Sequence, residues 1–202
     1  MKKIILLLLS VHWTTLPCKA QDARAPQDMR QASLQKFAEH LQRFREKGDV
    51  GDLAAAERTL DNRNGLQAVD QYKSNVLMLA AIEARLATDD QPQPRIYNRV
   101  PPPAGHENIM SPDQISDLKV RDKYLKDIAE NNARAGKWHN LVQLRRYKEF
   151  CLSFFTKSST LQRPQSEQFK TELLKAVEEA RLSPASKTTL RDVLTKMPVK
   201  GS

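Results

Sequence analysis

The sequence predicts an all-α protein: an irregular bundle of five to six helices, with one long helix near residues 112–157 and a long proline-rich crossover loop. Three observations support this fold class. Glycine supplies only 6 of 202 residues, about half its usual ~7% share, which disfavours a fold of many tight β-turns. Large apolar residues recur at three- and four-residue spacings across most of the chain. Two serine–proline pairs, Ser111-Pro112 and Ser183-Pro184, combine an N-cap residue with the proline that suits a first helical position. Charged residues at 28% beside 40% hydrophobic exclude a membrane-embedded body and a chain disordered throughout.

Residues 1–20 read as a secretory signal peptide. Met1-Lys2-Lys3 is a positive start, Ile4 to Leu9 with Val11 is a short apolar core, and Cys18 and Ala20 are small residues near the exit. The apolar run falls far short of the ~20 residues of a membrane span. Pro17 and Thr15 do not suit a lipidated cysteine at Cys18. The expectation is export, to a periplasm or the extracellular space, with no transmembrane segment after cleavage. The mature chain would then hold a single cysteine, Cys151, and so no internal disulfide. Cys151 reads as a small buried hydrophobe.

Residues 21–27 read as a flexible tail and 28–88 as the N-terminal helices. Leu34, Phe37, Leu41 and Phe44 form one stripe that ends at Gly48. Asp52 is placed to cap a short helix through Leu60, and Asp61 to Gly65 is a turn cluster. A helix from about Leu66 to Ala87 carries Val69, Tyr72, Val76, Leu79 and Leu86, with Leu77, Met78 and Ile82 widening its apolar face. So broad a face suits a central helix covered on several sides.

Residues 89–111 form a proline-rich connector. Pro92, Pro94, Pro101, Pro102 and Pro103 remove backbone donors and favour an extended path. Ile96, Tyr97, Val100, Ile109 and Met110 are placed to pin it onto the helices. Residues 112–202 are the C-terminal helices, expected to pack with 28–88 as one domain. Ser111, Pro112 and Gln114 spell a capping box, with Met110 and Ile115 at hydrophobic-staple positions. The long helix then runs through Leu118, Tyr124, Leu125, Leu141, Leu144, Cys151 and Phe154, with Asn131-Asn132 and Gly136 as candidate break points. A helix after Pro164 buries Phe169, Leu173, Val177 and Ala180, and a last one from Pro184 carries Leu190, Val193, Leu194 and Met197. No fixed-period repeat supports a solenoid.

Chemistry-bearing motifs are absent from the sequence. There is no His-Glu-x-x-His, no Gly-x-Ser-x-Gly and no phosphate-cradling glycine loop. His40, His106, His139 and Cys151 have no metal-ligand spacing. His139 and Cys151 fall twelve residues apart on one predicted helix, roughly 18 Å along its axis, against the ~3 Å a nucleophile–base pair needs. The expectation is therefore no catalytic residue, no metal and no cofactor.

Charge is more informative. The mature chain would carry +6, and residues 131–164 alone supply seven basic side chains against one acidic. Arg134, Lys137, Arg145 and Lys148 fall within roughly 80° of one another on an ideal helix, with Trp138, Tyr147, Phe150, Phe154 and Phe155 among them. The candidate anionic-partner face is Arg134, Lys137, Trp138, Arg145 and Lys148. Leu141 lies inside this stripe, the mark of a helix face that is partly core. The leading expectation is an exported, non-enzymatic interaction or scaffold protein that binds a protein partner or itself. The alternative is a binding module for anionic surfaces or acidic clients through 134–148, nucleic acid being the least favoured ligand. A small hydrolase would need a cleft with a strongly perturbed carboxylate or histidine.

Overall fold

A computed structural model describes residues 24–60, 66–89 and 92–200. The predicted leader, 1–20, lies outside the described residues, as does the turn cluster 61–65. Among the described residues there are six α-helices: α1 (Arg24–Lys47), α2 (Val50–Thr59), α3 (Ala68–Thr88), α4 (Leu118–Thr156), α5 (Glu167–Glu179) and α6 (Pro184–Thr195). The all-α bundle expected from the sequence is the fold found.

Cap chemistry sets most boundaries, and it corrects three expectations. Residues 24–27 are helical rather than part of a tail. Pro26 falls in the first turn of α1, where its missing N–H leaves no bond unmade. At the next corner Gly48 takes φ +72°, so α1 stops and Asp49 becomes extended. Asp49, not Asp52, then caps α2 by accepting from the Gly51 N–H at 2.8 Å. Third, Ser111-Pro112 opens only a short 3-10 turn, Pro112–Gln114. Gln114 accepts from the Ser111 N–H at 3.3 Å as a capping box should. Met110, however, is 88% exposed and Ile115 is buried, so the hydrophobic staple does not form. The chain extends at Ile115 to bury that side chain, and Asp117 caps α4 by accepting from Lys119 and Val120. The long helix therefore begins at Leu118, and it passes Asn131, Asn132 and Gly136 unbroken.

α3 and α4 form a central antiparallel pair. The N-terminal turns of α3 meet the end of α4, where Tyr72 packs at a tilt against Phe154 and edge-on against Phe155, with 4.9 and 5.2 Å between ring centroids. Further along, Glu83 of α3 meets Lys148 of α4. Two helical hairpins flank this pair. In the first, α1 lies parallel to α3, held by the Arg30–Asp70 fork (2.7 and 2.8 Å) near one end and Gly48 against Arg85 near the other. In the second, α5 lies parallel to α3 through Lys73–Glu172 and Tyr72–Phe169, and α6 packs on α5 and α4. Glu178 of α5 accepts from Arg191 and Lys187 of α6, and these cations hold its carboxyl down at about 2. Phe37, Leu41, Phe44, Leu53, Leu79, Ile82, Leu144, Phe155, Leu173, Leu190 and Leu194 fill one continuous core.

The first half of α4 runs past the end of α3, and the connector lies along it. Tyr97 and Asn131 exchange two bonds, Tyr97 N to Oδ1 and Nδ2 to Tyr97 O, each 2.9 Å. The Tyr124 hydroxyl donates to Val100 O at 3.1 Å. Three connector residues thus span seven helical ones. That matches about 3.1 Å per residue in an extended chain against 1.5 Å in a helix. The connector carries the chain outward and α4 returns it. Leu118 and Leu125, 60% and 45% exposed, lie on this arm rather than in the core, as does the open side of Ile128.

Candidate interaction site

The basic stripe anticipated on α4 divides at Leu141, which is buried against the end of α3. Beyond it, Arg145 and Lys148 face the α3–α6 junction together with Glu83 and Asp89. Lys148 Nζ lies 2.7 Å from Glu83 Oε1. Glu83, 8% exposed, also accepts from Ser183 N (2.6 Å), Ser183 Oγ (2.7 Å) and Ser186 Oγ (2.6 Å) at the start of α6. Burial pushes the Glu83 carboxyl up, but the bonds from Lys148, Ser186 and Ser183 outweigh it and hold the group below its ordinary range. Lys148 is therefore a joint between helices. Arg145 lies over the Trp138 ring, 5.3 Å from its centroid, a cation–π contact. Arg134 and Lys137, past the end of α3, are exposed on the face, as is Arg145, whereas Trp138 and Lys148 are half-buried. Phe154 and Phe155 join the aromatic cluster with Tyr72 and Phe169, so they are core rather than a stacking surface.

Among the described residues, no reactive pair forms around Cys151. The thiol is fully buried, and desolvation pushes it up to about 12, which leaves no thiolate near neutral pH. His139 is exposed on the same unbroken helix. Among the described residues, no group of three His, Cys, Asp or Glu side chains is placed to hold a metal ion. No helix among them is long and apolar enough to cross a membrane.

A two-lobed concavity lies elsewhere, on the outward side of α3. The two hairpins cover the flanks of α3 and α4 covers its back, leaving one stripe open. Its residues are Lys73, Leu77, Ala80, Ala84 and Thr88, at the three- and four-residue spacing of one helix face. Leu77, read from the sequence as part of the core face, is 44% exposed at the middle of this stripe. The groove has two contiguous lobes of about 590 and 540 Å³ that share Leu77, Glu179 and Ala180. The C-terminal turn of α1 forms one wall through Arg45, and the end of α5 forms the other through Ala176 and Ala180.

Charge on the groove is unevenly answered. Lys73 pairs with Glu172 at 2.5 Å, Lys175 lies 3.8 Å from Glu179, and Arg85 pairs with Asp89 at 2.6 Å. Arg45 and Arg181 line the same lobe, are exposed, and have no acidic partner among the described residues. Sequence reasoning missed this site. Its signal was the alternation of small residues with one leucine along a helix apolar over much of its girth. No protein-family model, curated protein or solved structure matches this chain.

Proposed function

We propose that this protein is an exported, non-enzymatic interaction protein that docks a macromolecular partner on the open face of α3. The observation that carries the reading is Leu77, a large apolar side chain left 44% exposed at the centre of a groove walled by three helices. A core helix hydrophobic round most of its girth normally has every side covered. An uncovered apolar stripe with a polar rim is the usual form of a protein-docking surface. Export rests on the leader-like residues 1–20.

Affinity capture with the chain as bait, at low and then high salt, tests the proposal. A partner that stays bound at high salt and is lost from an Ala84→Trp bait supports docking on α3. A second reading, binding of an anionic surface, is favoured by Arg134 and Lys137, which are exposed and form no ion pair among the described residues. It predicts release at high salt and on changing those two residues to Gln.

A further inference from the structure

We infer that the α3 groove receives one amphipathic helix of a partner protein whose flanks carry carboxylates, aimed at Arg45 and Arg181. The inference rests on the docking role proposed above and names the partner's chemistry. Shape comes first. From Lys73 to Thr88 the stripe spans about 22 Å at 1.5 Å per residue, four turns of helix. Ala80, Ala84 and Ala180 on its floor and wall let an incoming helix approach near the short end of the 8–10 Å interaxial range. Leu77 then stands as a knob between the partner's side chains.

Charge selects the partner. The inner ion pairs Lys73–Glu172 and Arg85–Asp89 are self-satisfied and contribute little net attraction. Arg45 and Arg181 sit on opposite walls of one lobe and form no ion pair among the described residues, the Glu179 carboxylate of that lobe lying 3.8 Å from Lys175 instead. Each offers a planar fork that suits a carboxylate. A second copy of the chain would bring the same cationic rim against this one, and like charges across an interface cost affinity. The protein's own leader is no better matched, because residues 1–20 carry Lys2, Lys3 and Lys19 and no acidic residue. An acidic helix from another protein meets both requirements.

The test is selection against the immobilised full chain from a displayed library of helical peptides about 16 residues long. An Ala/Leu seam is flanked by positions that vary between Glu, Gln and Lys. Enrichment of Glu at the flanks is expected. Affinity of the best synthetic peptide should fall about tenfold or more on Arg45→Glu/Arg181→Glu, on Ala84→Trp, and on Leu77→Glu, a change at an exposed position that spares the fold. A Lys-flanked version of that peptide should bind the Arg45→Glu/Arg181→Glu chain better than the original. Circular dichroism checks that each variant remains folded. Enrichment of Lys or Gln, no enrichment, or binding untouched by all three variants overturns the inference. Binding lost with Ala84→Trp and Leu77→Glu but indifferent to peptide charge overturns the acidic partner and leaves the docking role standing. Self-association abolished by the same two variants would assign the groove to a second copy and likewise overturn it.

Discussion

Glu83 and Lys148 form a 2.7 Å ion pair across the two central helices, and the same carboxylate receives three bonds from Ser183 and Ser186 at the start of α6. One acidic side chain therefore joins α3, α4 and α6. It also sits where the free N–H groups of a helix start favour negative charge. The pairing gives Lys148 a structural role in the fold.

Removing either member should cost stability rather than binding. Glu83→Gln leaves Lys148 without its counter-charge and weakens the α6 cap, with an expected loss of about 2 kcal/mol. Lys148→Gln should cost a comparable amount, whereas Arg134→Gln and Lys137→Gln should change stability by less than about 0.5 kcal/mol. Urea unfolding at neutral pH measures all four.

The same carboxylate sets an acid dependence. Its folded-state value is depressed, so the stabilisation is present above the ordinary carboxylate range and is lost as pH falls through that depressed value. The gap between the parent chain and Glu83→Gln should therefore be widest near neutrality and close below about pH 4. A gap that persists unchanged into acid would show that the carboxylate's charge is not what joins the helices.

Gly48 is held at φ +72°, and a Cβ there would come within 2.7 Å of Arg85 Cζ. Its carbonyl also accepts from Asn140 Nδ2 at 2.9 Å. Gly48→Ala should destabilise the chain by about 1–2 kcal/mol, from left-handed strain and displacement of the Arg85 side chain. Thermal unfolding reads the loss.

Asn131 is 5% exposed and mimics a backbone partner for Tyr97. Asn131→Ala should free the connector while leaving the bundle core intact, because the arm lies beyond that core. The expected signature is faster hydrogen exchange at Tyr97, with a small change in melting temperature. Loss of the whole cooperative transition would instead place the arm within the folding unit.

Helix existence and some helix ends were legible because they depend on neighbours within four residues: Gly48 stops α1 and Ser183-Pro184 starts α6 as read, and the stripes of α1, α5 and α6 are buried largely as spaced. Ser111-Pro112 misled because its local cap is real but short. The need to bury Ile115 ends the turn, and Asp117 restarts the helix. The α4 stripe was legible as a pattern but not as a surface. Glu83, which neutralises Lys148, is distant in sequence and meets it only once α3 and α4 run antiparallel. The groove was hidden for a related reason. Nothing near Leu77 in the chain tells which sides of α3 its neighbours leave open, and that depends on how the two hairpins splay.

Amide chemical-shift mapping of the folded chain with its bound partner tests the central claim most directly. The account predicts perturbations concentrated at Leu77, Ala80, Ala84 and the ends of α1 and α5, with Arg134 and Lys137 unmoved. Shifts centred on Arg134 and Lys137, with the α3 stripe silent, would contradict it.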